Sequence, residues 1–107
     1  MTDAPTINWP GESGKTYKYY IHPLGTQLVA KPGNYAFAKQ LTNGNWVSLY
    51  FGETQDLDSR FDGHHKIDCA KKNGATHLHA HLNDGSNQVR RDEETDLVRK
   101  WKPACNG

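Results

Sequence analysis

Two adjacent glutamates near the C-terminus, Glu93 and Glu94, pose the first chemical question of this chain. Helical geometry, at about 100° per residue, sets Leu97, Val98 and Trp101 on one apolar stripe and places Glu94 inside it. Glu93 falls on the flank, where water should solvate it. A carboxylate facing a core must be paired, protonated or bound to a metal, because a bare buried charge is costly. Arg90, one turn earlier on the same face, is the plain ion-pair partner. A metal ion is the other way of meeting the same need.

A second cluster is Arg60 with His64, spaced i, i+4 and so sharing one helix face. A permanently cationic fork of donors beside an imidazole that titrates near neutrality suits a phosphate group. For two such residues alone, an ordinary solvated face is the commoner reading. His77, His79 and His81 alternate, so they point to one face of a strand. Neighbours two apart on a strand stand ~7 Å from each other, in too straight a row for tetrahedral zinc. A polar sheet face, or a groove wall touching a substrate, is the expectation. Gly14-Lys15-Thr16 ends like a phosphate-binding loop, but Trp9 stands where that motif needs its first glycine.

The elements that must position these residues are read from periodicity. Thr16 to Ile21, rich in tyrosine, reads as a strand. Gly33 to Leu41 alternates Tyr35 and Phe37 with small or polar neighbours, as a half-buried strand does. Asn43-Gly44 is a strong hairpin signal, and Trp46 to Phe51 is the returning strand. A helical period follows through Leu57, Arg60, Phe61 and His64, with Thr54 or Asp56 placed to cap it. A second helical piece, about His65 to Asn73, stops at Gly74. Thr76 to Leu82 alternates as a further strand, and the last helix runs from about Asn87 to Trp101, stopped by Pro103. The first residues, with Pro5, Pro10, Gly11 and Gly14, read as a flexible arm over 1–15. Residues 16–107 form one α+β domain: a small antiparallel sheet of three to four strands flanked by about three helices.

The 107 residues allow one domain and not two. With 35% hydrophobic and 23% charged residues the composition is that of a globular chain with a modest core. A net charge of +1 neither favours nor excludes nucleic acid. No apolar run reaches the ~20 residues that span a bilayer, so no membrane partner is expected. The N-terminus lacks a charged start and an apolar stretch, which makes a cytoplasmic location the expectation. Cys69 and Cys105 are then expected to be reduced, inert thiols.

Taken in order, Gly33-Asn34-Tyr35, Tyr50-Phe51-Gly52-Glu53-Thr54, Arg60 with His64, and Glu94 leading to Pro103-Ala104-Cys105-Asn106 resemble the GIY-YIG nuclease family. In that family the two tripeptides lie on adjacent strands, an arginine follows on a helix, and a late helical glutamate precedes a Pro-x-x-Asn ending. Asn34 and Phe51 replace the isoleucines of the name. Glu53 stands where a relative such as the repair incision nuclease carries a basic residue. The resemblance covers about residues 33 to 106 and implies a metal-dependent endonuclease hydrolysing phosphodiester bonds, most naturally in DNA. It implies Mg²⁺ or Mn²⁺ held by Glu94, and a catalytic set of Tyr35, Tyr50, Arg60, His64 and Glu94. Gly52, Thr54 and Asn106 would line the substrate. It further implies a homodimer or an accessory DNA-binding partner, because such nucleases borrow specificity from attached domains. The alternative is a non-catalytic nucleic-acid-binding or interaction module on the same scaffold.

Overall fold

The computed structural model describes residues 4–58 and 66–106. Five antiparallel strands form one sheet: β1 (Thr6–Pro10), β2 (Thr16–Pro23), β3 (Gly33–Gln40), β4 (Trp46–Thr54) and β5 (His77–Leu82). Their order is β1-β2-β5-β3-β4, so the histidine strand β5 is central. Two α-helices, α1 (Ile67–Lys72) and α2 (Asn87–Trp101), and a closing 3-10 turn (Ala104–Asn106) complete the described residues. The architecture is α+β, with five strands where three to four are expected and, among the described residues, two α-helices where about three are expected. The helix expected over residues 54–64 begins instead as a turn at Gln55–Asp58, and the rest of it lies outside the described residues.

The sheet carries a core on each face, and the period-two pattern of its strands decides which side chain joins which core. On one face Tyr35, Phe37, Leu78 and Ala80 pack with Leu57 and with Ile67 and Ala70 of α1. On the other, Trp9, Tyr19, Ala36 and Phe51 pack against Leu97 of α2. The β3–β4 hairpin turns at Asn43-Gly44, with Gly44 at φ +88° and the Asn43 side chain accepting from the Asn45 amide at 3.0 Å. Ser86 caps α2 by accepting from the Val89 amide at 3.2 Å, and Pro103 follows the left-handed Lys102 that ends the helix.

Two expectations need correction. Residues 6–10 are no loose arm: they pair with β2 along their whole length, from Thr6↔Tyr20 to Pro10↔Thr16. Trp9 is 3% exposed, held edge-on between Phe51 and Trp101. Prolines at a strand's margin are compatible with pairing when the strand is at a sheet edge, as β1 is. Nor are the cysteines free: Cys69 of α1 and Cys105 of the 3-10 turn form a disulfide, their Cα atoms 5.9 Å apart. Sequence separation carries no information about whether two cysteines meet. The fold brings them together across the end of the domain.

Candidate functional site

Tyr35 and Tyr50 lie on paired strands, β3 and β4, and point to the same face. Their ring centroids are 6.1 Å apart, and Phe37 stacks on Tyr50 at 5.9 Å. Gly52 makes room for them. A Cβ there would come within 2.6 Å of the Tyr35 hydroxyl and 2.8 Å of the Tyr50 ring, so any side chain would displace the pair. The two hydroxyls are hydrogen-bonded to each other. Burial raises the Tyr35 hydroxyl far above the ordinary tyrosine range, and Tyr50 and the charges of Glu94 and Glu53 add to it. Tyr50, half-buried, is also raised, by burial first and then by Glu94, while its bond with Tyr35 pulls the other way. Both phenols are therefore neutral donors or water-orienting groups in the resting protein. Tyr50 is the easier of the two to ionise.

Glu94 is half-buried on α2, and its charge reaches both tyrosines. Its own carboxyl is raised, by burial first and then by Glu53, with Arg91 opposing. Glu53, at the end of β4, is held by Arg90 Nε at 3.2 Å and by Arg91 Nε at 3.8 Å. Arg90 is itself buried and donates to the Gly85 carbonyl at 2.6 Å and to the Asn87 side chain. Arg90 is thus committed to Glu53 and the α2 N-terminus, and is not the partner of Glu94.

Glu93 corrects the sequence reading most sharply. It is 6% exposed, not solvated, and Arg90, Glu93 and Leu97 form the buried line of α2. Val98 is half-buried and Trp101 is 38% exposed, so the true inward face is rotated from the expected stripe towards Glu93. Its carboxylate accepts from the Tyr19 hydroxyl at 2.8 Å, from His81 Nε2 at 2.6 Å and from Asn83 Nδ2 at 3.4 Å. The buried Asn34 links into the same network, accepting from Asn83 and donating to the Arg90 carbonyl. With its partners in place Glu93 is a satisfied core carboxylate.

The three histidines of β5 do share a face, and each has a different neighbour. His81 meets Glu93. His77 lies against the Trp46 ring at 4.8 Å. His79 is wholly buried, accepts from Trp9 Nε1 at 3.1 Å through Nδ1, and has no hydrogen-bond partner at Nε2. Burial, with the charges of His77 and His22 adding, lowers it to about 3, so the ring is neutral. Among the described residues, no three His, Cys, Asp or Glu side chains are grouped as a metal cage.

Of the remaining expected site residues, Thr54 closes a small turn with Asp56, its hydroxyl donating to the Asp56 carbonyl and accepting from the Asp56 amide. Asn106 clamps β4: its Oδ1 accepts from the Phe51 amide at 2.9 Å and its Nδ2 donates to the Phe51 carbonyl at 3.0 Å. Arg60 and His64 lie outside the described residues. Tyr35, Tyr50, Gly52 and Glu94 are brought together, and Glu53 joins them with Arg90 and Arg91. A hard divalent cation needs only one or two protein carboxylates and keeps its waters. The donor set fits that demand through Glu94, a half-buried carboxylate whose charge burial and Glu53 disfavour and a cation would favour, while Glu53 itself is held by Arg90 and Arg91. Comparison with family models, with curated proteins and with solved structures yields no match.

Proposed function

We propose that this chain is a divalent-metal-dependent endonuclease of the GIY-YIG type, hydrolysing phosphodiester bonds in DNA. The observation that carries the reading is the convergence of Tyr35, Tyr50, Gly52 and Glu94, from β3, β4 and α2, into one electrostatically coupled cluster. Glu94 would hold Mg²⁺ or Mn²⁺, which when bound would stabilise charge on the scissile phosphate. Tyr50, the more accessible phenol, orients the attacking water through its hydroxyl, and Tyr35 holds Tyr50 in place from the core. Arg60 grips the phosphate and offsets its growing charge, with His64 beside it; both roles rest on the sequence order. Asn106 acts through Phe51, fixing the strand that bears Tyr50, and does not touch substrate. The Cys69–Cys105 disulfide favours an oxidising surrounding over the cytoplasm as the place where the protein works.

Incubating the purified chain with plasmid, branched and single-stranded DNA, with Mg²⁺, Mn²⁺ or chelator, tests the proposal. Metal-dependent cleavage abolished in Glu94→Gln and strongly reduced in Tyr50→Phe is expected. A second reading, a non-catalytic nucleic-acid-binding module on the same scaffold, is favoured by Glu53, an acid next to the cluster that occupies Arg90 and Arg91 and so withholds them from a phosphate. Binding without cleavage under every metal condition would select it.

A further inference from the structure

On the same sheet face as Tyr35, two strands away, lies a groove of about 660 Å³ that the nuclease reading does not use. Register places them in one row: Tyr20 of β2 pairs with Ala80 of β5, Ala80 with Tyr35 of β3, and Tyr35 with Gly52 of β4. Paired residues point to one side of a sheet, so Tyr20 and Tyr35 face the same way about 10 Å apart. Lys18, Tyr20 and His22 of β2 and Ala80 and Leu82 of β5 line it from the sheet, and Leu28 and Val29 line it from the loop that follows β2.

Three features of this groove belong together. Its apolar side chains are unusually open: Tyr20 is 39%, Val29 55% and Leu82 54% exposed, three of the chain's exposed large hydrophobics in one place. Its charge has one sign, since among the described lining residues there is no carboxylate, while Lys18 Nζ stands 5.6 Å from the Tyr20 ring centroid. The Gln27 amide, also in the lining, donates to Asp58 at 2.9 Å. An aromatic ring with a lysine over it, in an apolar cleft, is an arrangement that can stack a base while the lysine meets its phosphate. An apolar peptide would gain nothing from Lys18, and a duplex could not present a base to the Tyr20 ring.

We propose that the groove is a subsite for one unpaired nucleotide, its base stacked on Tyr20 between Val29 and Leu82 and its phosphate met by Lys18. The inference rests on the nucleic-acid reading above and adds a substrate class to it: single strands, or duplexes with an unpaired segment next to the cleavage point. His22, whose imidazole is lowered by burial, contributes as a neutral hydrogen-bonding edge.

The test is fluorescence anisotropy of a labelled oligothymidylate and of a labelled duplex of equal length, with the full chain and chelator present so that cleavage plays no part. The wild type should bind the single strand more tightly than the duplex. Tyr20→Ala should weaken single-strand binding about tenfold, and Tyr20→Phe should keep it, since the ring and not the hydroxyl carries the stacking. Val29→Glu, on an exposed loop position where folding is not at stake, should weaken it similarly by placing a negative charge in the groove that offsets Lys18. Circular dichroism of each variant checks the fold. Unchanged single-strand affinity in both Tyr20→Ala and Val29→Glu, no single-strand binding by the wild type, or preference for duplex would each overturn the subsite. The two proposals fail separately: tenfold loss in Tyr20→Ala without cleavage by the wild type removes the nuclease and keeps the groove. Cleavage with unchanged Tyr20→Ala affinity does the reverse.

Discussion

Glutamine at position 93 and glutamine at position 94 should give opposite phenotypes, although the residues are neighbours on one helix. The Glu93 carboxylate accepts from Tyr19 and His81 on one oxygen and from Asn83 on the other. In Glu93→Gln the amide oxygen can keep Tyr19 and His81, but as a neutral acceptor. A charged acceptor exceeds a neutral one by about 1 kcal/mol per bond. The amide nitrogen then faces the Asn83 amide, donor against donor, which costs about another 1 kcal/mol. The sum is about 3 kcal/mol, or a fall in Tm of roughly 10–20 °C for a domain of this size. Glu94→Gln has the other sign. Because burial and Glu53 raise the Glu94 carboxyl in the fold, its ionised form opposes folding at neutral pH. The glutamine variant should match or slightly exceed the wild type in stability, while cleavage falls by at least about a hundredfold. Urea unfolding followed by tryptophan fluorescence reads the first quantity and plasmid nicking the second. Equal destabilisation by both substitutions, or a Glu93→Gln protein as stable as the wild type, would refute the assignment of the buried face.

Removing residues 1–12 should lower stability by at least the ~3–5 kcal/mol that loss of one buried Trp side chain costs, since Trp9 leaves with the strand; thermal unfolding of the truncated chain measures it. The neutral, buried His79 should make stability acid-sensitive. The unfolded chain takes up a proton below about pH 6.5 and the folded one does not until about 3, so stability falls as pH drops through that window, by up to ~1.4 kcal/mol per unit. Wild type and His79→Gln compared across it should diverge, the variant having the shallower slope. Reduction of Cys69–Cys105 should cost about 2–4 kcal/mol, seen as a lower urea midpoint with reductant, and should have no effect on Cys105→Ser.

The parts of this fold that could be read in advance are those where one strong local signal acts alone. The alternation through Tyr35 and Phe37 and the Asn43-Gly44 turn put Tyr35 and Tyr50 on paired strands, as the structure has them. β1 was hidden because Pro5, Pro10 and Gly11 punctuate a stretch whose only strand signal is Ile7 and Trp9. Their meaning depends on β2 being there to pair with. The phase of α2 departs from its apolar pattern for a related reason. Apolar periodicity sees Leu97, Val98 and Trp101 but is blind to Arg90 and Glu93, which are buried because distant partners, Glu53 on one side and Tyr19 and His81 on the other, receive them. Long-range polar pairing leaves no local trace. The disulfide belongs to the same class.

The Asn106 clamp also bears on how the protein behaves in a crowd. β4 is an edge strand, and an edge strand offers unpaired amides and carbonyls as a template for another chain. Asn106 takes both backbone groups of Phe51, standing in for a residue of a neighbouring strand that does not exist. At the opposite edge, β1 is five residues long, follows Pro5 and ends in Pro10, whose nitrogen has no hydrogen to offer. Each open side of the sheet is thus interrupted by a different means, a side-chain amide at Phe51 on one and proline at the ends of β1 on the other. These interruptions work against the edges recruiting further copies of the chain, while an exposed apolar groove lies on the face of the sheet.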